Sequence, residues 1–303
     1  MTLALAACNS TAASSTLTGS STGTAFPLTV KAANGNVTVQ KRPTAIVSLS
    51  PTATEMLYAI GAGKQVKAVD SYSDYPPGAP VTQLDGNSPN VESIVNYKPD
   101  LVVVSTDTSG FDKLMANFHI PVLYDPAAAT LAQAYGQYLS LGRATGNLAG
   151  AQAEVAKVKA QIATIVRATP KAAAGSSYYY ELDPTFYSVT SSTFVGQVLG
   201  LLGLKSIADR AQGAASSGGY PQLSAEFIVK SNPDFILLAD TLCCGASAQS
   251  VAARPGFSTL SAVRQGRVVP LNDDIASRWG PRITILLQDA ANALKDHPVS
   301  HAP

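Results

Sequence analysis

Cysteine is scarce in this chain: three residues in 303, at positions 8, 243 and 244. If Cys8 is acylated, neither late cysteine has a distant partner, and a disulfide framework is then excluded. The adjacent pair is left two states, a strained vicinal disulfide or two free thiols. Neighbouring Cα atoms lie about 3.8 Å apart across a trans peptide, short of the usual disulfide span. None of the three histidines, His119, His297 and His301, is close in sequence to the cysteine pair, so no zinc-ligand spacing arises. Charge is also low, at 14%, and balanced at 21 basic against 20 acidic residues without a basic run. That removes the electrostatic footprint of a nucleic-acid or anionic-membrane binder. No stretch approaches the roughly 20 uninterrupted apolar residues of a membrane span.

What is present is apolar bulk. With 46% hydrophobic side chains over this length, the chain can bury a large core as one big domain or two lobes. At the start, Leu5-Ala6-Ala7-Cys8 reads as the end of a bacterial lipoprotein signal, in which small residues precede a cysteine that becomes the acylated first residue. Only seven residues precede Cys8, which suits a trimmed signal. From Asn9 to Gly23 the chain is almost wholly Ser, Thr, Ala and Gly, the composition of a flexible tether. The expectation is an extracytoplasmic protein, anchored to the cell membrane through lipid on Cys8 alone.

The most informative pattern is internal. Glu92-Ser-Ile-Val-Asn-Tyr-Lys-Pro99-Asp100-Leu-Val-Val-Val recurs as Glu226-Phe-Ile-Val-Lys-Ser-Asn-Pro233-Asp234-Phe-Ile-Leu-Leu. Asn90 and Ser224 stand two residues before each Glu as N-cap candidates, and Pro99 and Pro233 end the short helices. The apolar runs Leu101–Val104 and Phe235–Leu238 are continuous, as in parallel strands covered on both faces. A second echo pairs Ala45–Ser50, leading into a helix that stops at Gly61, with Tyr187–Ser191, leading into one that stops at Gly203. Further strands are expected at Val66–Asp70, Pro121–Tyr124 and Arg267–Leu271. Between the halves, Leu148, Ala151, Val155, Val158, Ile162 and Ile165 fall on one helical stripe closed by Pro170. About 20 residues at 1.5 Å each span roughly 30 Å, enough for one strut along two lobes. The expected fold is α/β: two Rossmann-like lobes with parallel sheets, 26–145 and 175–296, joined by a single long backbone helix within 146–174, with a tail at 297–303.

Several segments carry a resemblance to a known family: Ser48-Leu-Ser-Pro-Thr-Ala-Thr-Glu55, Ser71-Tyr-Ser-Asp-Tyr-Pro-Pro77, Val91 through Val102, Tyr220-Pro-Gln-Leu-Ser-Ala-Glu226 and Ser277-Arg-Trp-Gly-Pro-Arg282. Over 42–295 the chain resembles the periplasmic-binding proteins for cobalamin and ferric siderophores. The resemblance implies a monomeric, non-enzymatic solute-binding component of an ABC importer, serving a permease dimer with ATPase subunits. The ligand would be a metal chelate, a corrinoid, ferric siderophore or heme, and the protein itself would hold no cofactor and no metal. It further implies that Glu92 and Glu226 dock the permease, one per lobe; both also suit their own helix N-termini. By motif position the ligand residues would be Tyr72, Phe186, Tyr220, Asp274 and Arg278. Trp279, the only tryptophan, joins them as a ring at the cleft or as a buried anchor. Arg278 could pair with a ligand carboxylate or phosphate. The tryptophans that line the cleft in cobalamin-binding relatives have no counterparts here, their positions falling near Gly86 and Ser105.

Two other classes compete. An α/β enzyme lacks support, with no P-loop, dinucleotide fingerprint or HExxH motif. Gly19-Ser-Ser-Thr-Gly23 fits G-x-S-x-G only formally, since it lies in the tether without a strand-to-helix elbow. A surface lipoprotein acting as a sensor or interaction module without transport is the other alternative.

Overall fold

The computed structural model describes residues 25–170 and 175–299. The lipobox at Cys8 and the tether from Asn9 to Gly23 lie outside the described residues. Two short strands, β1 (Leu28–Ala32) and β2 (Gly35–Val39), form an antiparallel hairpin that the sequence reading did not anticipate. The first lobe then lays down β3 (Ile46–Leu49), α1 (Pro51–Ala59), β4 (Val66–Val69), α2 (Val91–Val95), β5 (Leu101–Val104), α3 (Phe111–Ala116) and β6 (Val122–Tyr124). Helices α4 (Leu131–Thr145) and α5 (Leu148–Ala168) follow. The second lobe contains β7 (Ser177–Glu181), α6 (Phe194–Gly200), β8 (Lys205–Ser206), α7 (Ala225–Ser231), β9 (Phe235–Leu238), α8 (Thr241–Cys244), α9 (Ala248–Ala252) and α10 (Ser261–Arg264). It closes with β10 (Val268–Pro270), α11 (Asp273–Ser277) and α12 (Ile283–Asp296).

Both four-stranded sheets are parallel and have the same order. One runs β4-β3-β5-β6 and the other β8-β7-β9-β10, so in each lobe the second strand lies on one side of the first and the later strands on the other. The repeat seen in the sequence has a local cause in both copies. Asn90 accepts from the Ser93 N–H and Ser224 from the Phe227 N–H, each satisfying an amide that the helix start leaves unpaired. Lys98 and Asn232, each just before its proline, take left-handed φ values of 50° and 41° to turn the chain toward the strand. The aspartate after the proline then ties down the neighbouring strand. Asp100 accepts from the Thr44 and Ala45 amides, and Asp234 from the Ser177 amide at 2.8 Å.

This equivalence corrects one expectation. The counterpart of β3 is β7, the Ser-Tyr-Tyr-Tyr-Glu run, and not Tyr187–Ser191. A turn at 183–186 reverses the chain after β7, and Tyr187 makes only an isolated bridge to Gln222. Tyr178, Tyr179 and Tyr180 are fully buried, filling the central position of the second sheet.

The long stripe behaves as a strut. Ala151 and Val155 of α5 pack in the core of the first lobe, whereas Val158 and Ile162 pack in that of the second. Helix α4 runs back along it, joined through Gly146 in a left-handed cap, so the connection is a helical pair. Gly150 lets α5 press against the end of α1, where a Cβ would collide with the Ile60 carbonyl.

Candidate functional site

In a parallel sheet the loops diverge at the carboxyl ends of the strands, and that is where a crevice opens. Here the carboxyl ends of the first lobe present Leu49 at the end of β3 and Ser50 after it, Asp70 after β4 and Ser105 after β5. The second lobe closes over them with α11 and the loop that follows. Between the lobes these residues, with Tyr72, Asn87 and Trp279, line a cavity of about 370 Å³. Larger hollows of about 810 Å³ and 620 Å³ occupy equivalent places at the amino ends of the two sheets, beside Asp234 and Asp100. Each of these is lined from one lobe, whereas the smaller cavity is walled by both.

Across this cavity runs an ion-pair network. Glu55 of α1 is fully buried, and its two oxygens receive Arg278 at 3.0 Å and Arg282 at 2.6 and 3.0 Å. Arg278 also donates to the Tyr72 carbonyl at 3.0 Å, to Asp274 at 2.6 Å and to Asp74 at 3.3 Å. The guanidinium of Arg282 lies 4.3 Å from the centre of the Tyr75 ring. Burial pushes the Asp274 carboxyl upward, against the pull of Arg278, and burial likewise raises Asp70. Arg278 therefore lines the cavity with its charge already met by protein carboxylates, so it positions Tyr72 and Asp274 rather than offering a free cation.

Of the residues singled out from sequence, Tyr72, Asp274, Arg278 and Trp279 meet at this cavity. Tyr72 is 67% exposed and projects from the wall. Trp279 packs against the cores of both lobes and donates its indole N–H to Gln137 at 2.7 Å. Tyr220 is exposed in the second lobe outside the cavity lining. Phe186 is half-buried, stacked on Phe257 at 5.9 Å with Arg254 over its ring. Gly86 and Ser105 do line the cavity, and Gly86 is there for a steric reason: a Cβ would stand 2.7 Å from the Leu49 carbonyl oxygen. Glu92 and Glu226 are exposed, each in the first turn of its helix, and its own backbone amide, with the Ser224 hydroxyl, holds the Glu226 carboxyl below its usual range. Cys243 and Cys244 are joined as a disulfide. Sequence reasoning assigned no role to Glu55 or Arg282, although they end two of the segments that carry the resemblance.

Residues 46–275 match the family model described as periplasmic binding protein. The chain belongs to the periplasmic binding protein family. This binding protein is 31% identical over 279 residues to an ABC transporter substrate-binding lipoprotein of Bacillus subtilis, covering 89% of this chain and 86% of that one. It is also 31% identical over 278 residues to a cobalamin-binding protein of Halobacterium salinarum, covering 88% and 74%. Among solved structures, a possible iron-binding periplasmic solute-binding protein of Staphylococcus epidermidis superposes with a TM-score of 0.72 at 27% identity, covering 84% of this chain and 99% of that one. The periplasmic vitamin B12 binding protein of Vibrio cholerae shares the fold, with a TM-score of 0.69 at 23% identity over 86% and 99%.

At the carboxyl ends of the second sheet the binding protein buries a second charge cluster. Glu181, fully buried, takes both guanidinium nitrogens of Arg254 at 2.5 and 2.6 Å. Asp240, also fully buried, follows β9 beside it. Burial first, and the neighbouring Glu181 charge second, push the Asp240 carboxyl up to about 7, and burial raises Asp125 to about 7 as well. An unfolded aspartate releases its proton near pH 4. Between there and pH 7 the folded protein binds more protons than the unfolded chain. This contribution to stability is therefore complete in acid and is lost as pH rises through 7. Melting of the wild type should fall in temperature from pH 5 to 8. Asp240→Asn should flatten that fall and raise the midpoint at pH 8 by about 2 °C or more. A variant that melts like the wild type at every pH would mean that Asp240 is not the titrating group.

Proposed function

We propose that this protein is the solute-binding component of an ABC importer that captures a metal-chelate nutrient, with a corrinoid favoured over a ferric siderophore or heme. Relatives named for their ligand bind cobalamin, heme or iron, and the cobalamin-binding protein at 31% identity aligns over 88% of this chain. The observation that carries the reading is the cleft, a polar first-lobe wall of hydroxyl, amide and carboxylate groups beside the exposed flat ring of Tyr72. Such a wall suits a ligand with a planar face and a hydrogen-bonding rim. The metal would arrive already chelated.

Delivery follows from the duplication. A helix that returns a parallel strand to the sheet begins at the carboxyl ends, so Glu92 and Glu226 stand on the cleft-side level of their lobes. One carboxylate per lobe, related by the repeat, matches a twofold permease, and such rim charges set register and on-rate. Cys8 would carry the lipid that keeps a monomeric protein at the membrane.

Trp279 is the only tryptophan and lines the cleft, so its fluorescence reports binding. Titration with cyanocobalamin should give saturable one-to-one quenching, stronger than with hemin or a ferric siderophore. Tyr72→Ala should weaken it about 5-fold through loss of stacking. No saturable response to any of the three would overturn the reading. Glu92→Lys with Glu226→Lys should leave that titration unchanged while lowering ligand uptake by cells, and unaltered uptake would remove both from docking.

A further inference from the structure

We propose that the Cys243–Cys244 disulfide together with Leu242 forms an apolar contact surface for the ligand on the second-lobe rim of the cleft. The inference rests on the proposed function and deepens it by naming part of the surface that recognises the chelate.

Helix α8 is four residues long, too short to hold itself in water. It is instead fastened from outside. The Asp273 carboxylate accepts from the amides of Leu242, at 3.0 and 3.1 Å, and Cys243, at 2.8 Å, and from the Thr241 hydroxyl at 3.1 Å. The next residue along, Asp274, lines the cavity between the lobes. Strands β9 and β10 are neighbours in the sheet, so α8 and α11, which follow them, rise from the same carboxyl end. The rim of the cleft therefore continues from Asp274 directly onto α8.

What this helix displays is apolar and open. Leu242 is 67% exposed, and both cysteines are exposed as a disulfide, with neither thiol left to donate a hydrogen bond. None of the three side chains contributes to a core, yet the backbone beneath them is pinned by one carboxylate and cross-linked to its neighbour. Rigidity without burial serves what lies above it. Sulfur is polarizable and packs favourably against π-systems, so a flat conjugated macrocycle is the occupant this surface suits. Size points the same way. A cavity of about 370 Å³ is at the small end of ligand pockets. A large chelate would extend past it onto the rims, meeting Tyr72 on one lobe and α8 on the other.

Peptide mapping of the purified protein after iodoacetamide should find 243–244 unlabelled until a reductant is added. Labelling of both cysteines without reductant would overturn the inference. Trp279 titrations with cyanocobalamin and with hemin should then show roughly 3- to 10-fold weaker binding in Leu242→Ala and in the Cys243→Ser, Cys244→Ser double variant, with melting temperatures near that of the wild type. Wild-type affinity in both folded variants would refute the contact surface while leaving the proposed function standing. If the double variant does not fold, Leu242→Ala decides alone, unchanged affinity again being the refutation. A wild type that binds neither probe defeats the inference, and one that gives no response to a ferric siderophore either defeats the proposed function with it.

Discussion

The carboxylate of Glu55 is the point on which the two lobes are fixed. It is fully buried on the first lobe, and both guanidinium groups that neutralise it, Arg278 and Arg282, come from the second. Taking a carboxylate out of water is tolerable only if its partners stay in place, and removing one partner of such a pair costs about 3–5 kcal/mol. That penalty resists any opening that would draw the lobes apart at α1. The same network reaches the cleft wall, because Arg278 holds the Tyr72 carbonyl and Asp274. One buried charge thus sets both the angle between lobes and the outline of the cavity.

Other contacts agree with it. The α4–α5 pair packs along both cores, and Trp279 and Tyr135 each touch the two of them. Binding proteins hinged on flexible strands close widely, whereas a packed helix leaves few residues able to absorb a large change in φ and ψ. A cleft held in this way is preformed, and recognition falls to fixed groups rather than to engulfment.

Much of the fold was legible because its rules are local. An N-cap, a first-turn Glu and a Pro-Asp ahead of an apolar run specify the same unit at 90–104 and 224–238. The Asp turns out to hold the neighbouring strand as well, which the spacing alone did not reveal. Strand β7 escaped because three consecutive tyrosines do not read as an apolar run, although their β-propensity and full burial make them one. The two-residue β8 carries no periodicity to read. At the site, Tyr72, Asp274, Arg278 and Trp279 were found by motif position and do meet. The Glu55–Arg278 pair was not found, since its members stand 223 residues apart and only the folded topology joins them. The same holds for Asp240 and Glu181, brought together by two neighbouring strands distant in sequence.

Small-angle X-ray scattering of the ligand-free wild type beside Glu55→Gln, both shown to be folded by circular dichroism, tests the central claim most directly. If the buried carboxylate fixes the lobes, the variant's radius of gyration should rise and its distance distribution broaden as the angle between lobes is released. Superimposable curves would mean that the helical strut and Trp279 hold that angle unaided, and would contradict the account.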